Sequence, residues 1–147
     1  MSSLRDQIAN DTKRAAVIDD ACDVLEREVS DKSGLSGMAV KAGYKLVKGF
    51  RPGFIREAVD HLLNDFLDAL DPIYHEAVAG GHSPKDHFSS NGSRVADALL
   101  AVTDKRAENA KHGAIKKAYE KLRGVAKKHV EAAVPRLGDM VARHTGG

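Results

Sequence analysis

The sequence predicts an all-α protein: one compact bundle of four to six helices in a single domain spanning residues 1–147. Apolar residues recur at steps of three, four and seven in several segments, the spacing of one helix face. No segment alternates between apolar and polar residues over a useful length. The 147 residues suffice for one domain and are short for two. Because aromatic residues make up only 5%, we expect a core of Leu, Val, Ile and Ala.

The N-terminal part predicts a short turn within residues 1–10 and then a helix from about 12 to 30. Asn10 or Asp11 is a suitable cap for this helix, since short polar side chains accept hydrogen bonds from free backbone N–H groups. Cys22 lies on the apolar stripe of the helix. We expect it to be a small core residue, because no second cysteine accompanies it.

Two further helices follow in the middle of the chain. The first runs from about 36 to 50, and its Gly43 indicates a close helix crossing. A tight connection at Pro52-Gly53 leads to the second, from 54 to 70, whose apolar face is the strongest in the sequence. Asp71-Pro72 should then cap and restart a turn through Ala79. Residues 80–92 are predicted to be a polar, mobile loop.

The C-terminal part has helical periodicity from residue 93 to 133, with Ser93 as a cap. His112-Gly113 either breaks this segment into two helices or only weakens it, and the pattern leaves both alternatives open. Pro135 should end or kink the helix, and a short amphipathic turn follows. Residues 144–147 are predicted to be a disordered tail.

Charge is segregated into helical blocks that the net charge of +2 conceals. Residues 17–31 and 54–76 are acidic, whereas residues 41–51 and 105–130 are basic. Such blocks determine which helices attract each other and which face attracts an outside partner.

An antiparallel hairpin around Pro52-Gly53 would bring one basic and one acidic stripe together. It predicts Lys48 near Glu57 and Lys45 near Asp60, each pair contributing about 0.2–1 kcal/mol. In the alternative, both stripes are solvated and one of them is a docking site. The residues of the two stripes are Lys41, Lys45, Lys48, Glu57, Asp60 and Asp68.

The basic C-terminal helix offers a candidate interaction face. It can contact phosphates of nucleic acid or of anionic lipid, or remain a solvated surface, or meet the acidic block 17–31. No DNA-binding motif accompanies it, and Tyr119 is its only aromatic residue. Segment 34–50 also has the mixture of Lys and apolar residues found in membrane-surface helices, although its apolar positions are spread around much of the helix, which favours an ordinary helix packed through its glycines. The residues of the basic face are Lys116, Lys117, Lys121, Arg123, Lys127 and Lys128.

Metal and catalytic patterns are weak. His61 lies four residues from both Glu57 and Asp65, yet the chain has no Glu-x-x-His pattern of the kind that di-iron bundles use. It also lacks G-x-S-x-G and Walker A motifs. We therefore predict no catalytic residue, no cofactor and no metal, although a pocket near His61, Tyr74 and His75 is kept as a ligand-binding alternative.

The expected location is the cytoplasm. A single cysteine rules out an internal disulfide. The first residues lack the apolar region of a secretory signal, and no apolar run approaches the roughly 18–20 residues that span a bilayer. The leading functional hypothesis is a non-enzymatic binding or adaptor protein with an unknown partner, and pairing of acidic and basic faces between copies makes a homo-oligomer plausible.

Several short motifs resemble a family of small all-helical bacterial proteins with no assigned activity. The resemblance covers most of the chain and implies a single helical domain, but it assigns no functional residue. Its motifs are residues 32–41 (KSGLSGMAVK), Gly43-Tyr44-Lys45, Pro52-Gly53, Leu62-Leu63, Leu70-Asp71-Pro72 and residues 119–123 (YEKLR).

Overall fold

The computed structural model describes residues 2–146, which form seven helices and no strand in that range. The all-α prediction is confirmed, and the predicted number of four to six helices is too low by one. The helices are α1 (Leu4–Ile8), α2 (Arg14–Asp31), α3 (Gly34–Lys48), α4 (Phe54–Ala79), α5 (Pro84–Ser90), α6 (Gly92–Glu108) and α7 (Gly113–Thr145).

The N-terminal turn and the helix after it start where side chains satisfy free backbone donors. The Ser3 hydroxyl accepts a hydrogen bond from the Asp6 N–H and caps α1. The Asn10 side chain accepts from the N–H groups of Thr12 and Lys13, both at 3.1 Å, and so begins the turn into α2. Leu4 and Ile8 of α1 are fully buried, which fixes this short helix on the domain.

Helix α4 continues through Pro72, so the predicted restart at Asp71-Pro72 is wrong. A proline inside a helix removes one hydrogen bond and crowds the preceding turn. Here Leu70, Ile73 and Tyr74 on either side are buried, and their burial stabilises the uninterrupted helix. Pro135 is likewise accommodated inside α7, next to buried Val134.

The predicted loop 80–92 contains helix α5, which corrects that prediction for residues 84–90. The Ser83 hydroxyl accepts from the Asp86 N–H, and Pro84 occupies the first turn, where its missing N–H does no harm. Phe88 is fully buried. One buried aromatic residue on seven residues of helix is too little to produce a recognisable apolar period.

Residues 93–133 belong to two helices, because the chain leaves helical geometry at 109–112. The predicted disordered tail is also corrected: α7 extends through Thr145, and His144 lies 2.9 Å from a carboxylate oxygen of Asp20. Gly147 lies outside the described residues.

Helix α7 packs against α1, α2, α3, α5 and α6, and α4 packs against α1, α2, α3, α5 and α6. Helix α3 lies at one edge, antiparallel to α7. Lys32, just before α3, donates to the carbonyl of His129 at 3.2 Å, and the ring of Phe50 lies 4.9 Å from that of His112. Within the described residues, no helix is both long and apolar enough to cross a membrane.

Candidate functional site

Helix α3 turns a row of apolar side chains to solvent. Leu35 is 90% exposed, Met38 67% and Leu46 54%. At 3.6 residues per turn these three positions fall on one side of the helix, together with the exposed Ala39 and Ala42. Contiguous exposed apolar surface is uncommon on monomeric proteins and marks contact with a partner or a membrane.

The opposite side of α3 attaches the helix to the bundle. Val40, Tyr44 and Val47 are half-buried there. A Cβ atom added to Gly43 would lie 2.5 Å from Leu122 Cδ1, so the missing side chain lets α3 approach α7 closely. The close crossing predicted at Gly43 therefore exists, and it accounts for a residue that lowers helix stability by up to about 1 kcal/mol.

A row of lysines borders the apolar strip on the side of α2. Lys41, Lys45 and Lys48 are exposed, and α3 itself contains no acidic residue. Lys48 pairs with Glu26 of α2 at 3.3 Å, while Lys41 and Lys45 have no ion-pair partner among residues 2–146.

The predicted hairpin pairing is wrong, because the acidic stripe of α4 has other partners. Glu57 binds Arg51 at 2.6 Å and Asp60 binds Arg14 at 2.8 Å, while Asp68 binds Arg5. Arginines that precede the connection in the chain reach these carboxylates. Helix α3 packs through Gly43 on α7 instead of pairing its lysines with α4.

The basic residues of α7 divide between its two edges. Arg123 binds Asp104 at 2.8 Å and Lys127 binds Asp97 at 3.1 Å, so these two face α6. Lys116 follows the same edge by helical spacing. Lys117, Lys121 and Lys128 fall on the other edge, beside α3, and are exposed without an ion-pair partner in the described part of the chain.

Helices α3 and α7 together form what we call the basic–apolar face. Leu122 points from α7 to Gly43 of α3, and on the solvent side of that contact α3 presents the strip that includes Leu46. The apolar strip thus lies between two lysine rows. The face consists of Leu35, Met38 and Leu46 with Lys41, Lys45, Lys48, Lys117, Lys121 and Lys128.

The acidic block of α2 is occupied within the domain and does not meet the basic block 105–130. Asp20 binds Arg143 and His144, at 2.8 and 2.9 Å. Burial raises the pKa of Asp20, but the hydrogen bonds from these two partners outweigh burial and lower it overall. Glu28 binds Arg136 at 3.1 Å. The C-terminal half of α7 therefore supplies several of the cations that balance α2.

The histidines considered for a ligand site are dispersed. His61 is exposed and lies 3.9 Å from Glu57, whereas His75 lies 3.2 Å from Asp71. The hydroxyl of buried Tyr74 donates to Gln7 at 3.3 Å. Among the described residues, no three His, Cys, Asp or Glu side chains are grouped as metal ligands.

Cys22 is half-buried between α2 and its neighbours, as its place on the apolar stripe predicts. Burial raises the pKa of its thiol, an effect that the nearby Arg56 only partly offsets. A raised pKa leaves the thiol protonated at neutral pH and therefore a poor nucleophile.

Fold and site together define an all-α domain with a basic–apolar surface. The chain belongs to a family of unknown function, DUF6918, whose family model matches residues 4–145. This match confirms the resemblance to an all-helical family without an assigned activity. No curated protein and no solved structure shows a significant match.

Proposed function

We propose that the protein binds anionic membrane surfaces peripherally, through the basic–apolar face. The observation that carries the proposal is the strip of Leu35, Met38 and Leu46 exposed between two rows of lysines. Amphipathic helices that lie on membranes have this combination, with apolar side chains at the acyl boundary and lysines at the headgroups.

A lipid surface suits this face better than a nucleic acid does. Phosphates of either kind would attract the lysines. Only a bilayer also removes the apolar strip from water, at roughly 25 cal/mol for each Å² of apolar surface buried. The apolar members of the face are Leu and Met, and the ring of Phe50, one turn beyond Leu46, already packs against Phe54 and His112 instead of standing free for bases to stack on.

The proposal narrows the binding function expected from the sequence and requires no chemical step. Each Lys near an anionic bilayer contributes about 1 kcal/mol. Attraction by the lysines and burial of the strip are two separate signals, the number that stable attachment to a membrane generally needs. In a cytoplasmic setting the ligand would be the anionic lipid of the inner leaflet.

Vesicle co-sedimentation tests the proposal. We expect wild-type protein to bind vesicles of phosphatidylglycerol mixed with phosphatidylcholine and to ignore pure phosphatidylcholine. Replacing Lys117, Lys121 and Lys128 by Gln should weaken binding roughly a hundredfold, from about 1 kcal/mol per Lys. The matched control replaces Lys105 of α6, together with Lys116 and Lys127 of α7, by Gln, which removes the same charge from the side of the domain where α6 and α7 meet.

A second variant distinguishes binding to lipid from binding to nucleic acid. Leu35→Ser combined with Leu46→Ser keeps every charge and should weaken vesicle binding at least tenfold. Equal binding by both lysine variants would overturn the proposal. So would nucleic-acid binding that exceeds vesicle binding and ignores the two Ser substitutions, or a stable dimer in sedimentation that buries the strip.

A further inference from the structure

A second feature lies inside the bundle, away from the basic–apolar face. Helices α2, α4, α6 and α7 surround a partly open pocket of about 230 Å³, which we call the cavity. Its walls include Leu63, Leu67 and Val141, which belong to the buried core. Close-packed cores leave few voids larger than a water molecule, so a cavity of this size is a distinct structural element.

The lining of the cavity is apolar except at one point. Of the fifteen residues around it, fourteen are Ala, Val, Leu, Phe or Met, and the remaining one is Glu28. An apolar lining of this kind accepts small apolar molecules, as an engineered cavity of ~150 Å³ accepts benzene. In proportion to that benzene site, a cavity of about 230 Å³ accommodates roughly nine carbons.

The charges around Glu28 cancel each other. Its carboxylate binds Lys32 at 3.2 Å and Arg136 at 3.1 Å, and Arg136 also binds Asp31. Two cations and two anions leave no spare charge for an ionic ligand. A hydroxyl or ester oxygen, by contrast, can exchange hydrogen bonds with this cluster without separating an ion pair.

We propose that this cavity binds a medium-chain alkyl group carrying an uncharged polar head, with the chain among α2, α4 and α7 and the head at Glu28. The site is independent of the lysines on α3 and α7. It adds a small-molecule ligand to a protein whose proposed surface partner is a membrane.

A series of straight-chain alcohols, from butan-1-ol to dodecan-1-ol, tests the site when methyl NMR spectra of the full chain are followed without lipid. We expect affinity to rise about fourfold for each added methylene, and to stop rising near nine carbons, where the cavity is full. Shifts should concentrate on Leu63, Leu67 and Val141. Affinity that keeps rising through dodecan-1-ol, or shifts spread over the surface, would overturn the proposal.

Two substitutions on neighbouring residues make the test specific. Ala133→Leu places an isopropyl group in the cavity wall and should weaken octan-1-ol binding at least tenfold. Ala132→Leu adds the same group on the solvent side and should leave binding unchanged. If Ala133→Leu does not fold, Leu99→Ala in the α6 wall enlarges the same cavity and should move the limit to a longer chain.

Two further measurements test whether the bound head is uncharged and whether the cavity binds its ligand independently of the surface lysines. Octan-1-ol should bind at least tenfold more tightly than octanoate, and tighter octanoate binding would contradict the uncharged head. The variant lacking Lys117, Lys121 and Lys128 should bind the alcohols like the wild type. Loss of alcohol binding in that variant would place the ligand on the surface and overturn the cavity site.

Discussion

Gly138 of α7 lies directly against the backbone of Lys85 in α5. A Cβ atom at residue 138 would come within 2.8 Å of Lys85 Cα, a backbone atom that cannot rotate away. We therefore expect Gly138→Ala to lower the free energy of unfolding by about 1–3 kcal/mol, the usual effect of overpacking. Urea denaturation followed by far-UV circular dichroism measures the change.

Gly124, in the same helix, is the matched control. A Cβ atom there would meet nothing within 4 Å, so Gly124→Ala should raise the free energy of unfolding by up to about 1 kcal/mol through helix propensity. Equal effects of the two substitutions, in either direction, would contradict the close α5–α7 contact.

The stability of the protein should decline in acid partly because of Glu76. Both oxygens of its carboxylate accept hydrogen bonds from Arg94 at 2.6 Å, and His87 lies 3.3 Å away. These contacts lower the pKa of Glu76 from 4.5 to about 2. Because the folded pKa lies below the unfolded one, the contribution is complete above pH 4.5 and disappears as the pH falls towards 2.

Glu76→Gln should therefore flatten the fall of the melting temperature across that acidic range. The carboxylate is on the surface, so the change in slope will be small. Glu131→Gln removes an exposed carboxylate that has no ion-pair partner among residues 2–146, and it should follow the wild type. If the melting temperature of Glu76→Gln falls with pH in parallel with that of the wild type, Glu76 does not contribute to the loss of stability in acid.

Removing Glu28 should destabilise the protein more than removing an ordinary surface charge. The side chains of Glu28 and Lys32 are only 13% and 10% exposed. Without Glu28 the ammonium of Lys32 keeps only the carbonyl of His129 as acceptor. We expect Glu28→Ala to lower the free energy of unfolding by about 1–3 kcal/mol, because a partly buried cation loses its anion.

Adding Lys32→Met to Glu28→Ala should restore part of that loss, since Met keeps the aliphatic stem and removes the unpaired charge. A double-mutant cycle on unfolding free energies measures the coupling. Strict additivity of the two substitutions would show that the pair contributes nothing beyond its separate side chains.

Both lysine rows should contribute to vesicle binding, the row on α3 less than the row on α7. Removing Lys41, Lys45 and Lys48 should weaken binding to anionic vesicles less than removing the row on α7 does, because Lys48 already pairs with Glu26. Both variants should lessen the salt dependence of binding. Vesicle titrations at low and physiological salt measure both effects, and an unchanged salt dependence in both would count against electrostatic docking.

Periodicity predicted most of the fold because long helices repeat their apolar face several times. The stripe from Ile55 to Leu70 is an example, and α4 begins at Phe54 within one residue of the prediction. Periodicity did not predict helix α5, because only two of its residues are buried, Pro84 and Phe88, and these lie one turn apart. The local sequence at Pro72 predicts the start of a new helix, whereas burial of the residues around Pro72 keeps α4 continuous.

The sequence predicts the lysine row on α7 but not the exposed apolar strip on α3. Spacing places Lys117, Lys121 and Lys128 on one edge of a helix, and the structure keeps them there. Spacing cannot tell which side of α3 faces the bundle, because apolar residues occur around most of that helix. The contact between Gly43 and Leu122 determines it: Gly43 indicates a close crossing, but no local pattern shows that α7 is the helix that crosses there.

The length of α7 has a consequence for synthesis of the chain. At about 1.5 Å per residue its 33 residues extend for about 50 Å, alongside five of the other six helices. Since α7 follows all of these helices in the chain, none of them has its complete set of neighbours until α7 has emerged from the ribosome. The domain should consequently acquire its protease resistance in one late step, after translation of α7, and a nascent chain halted before Gly113 should be a substrate for chaperones.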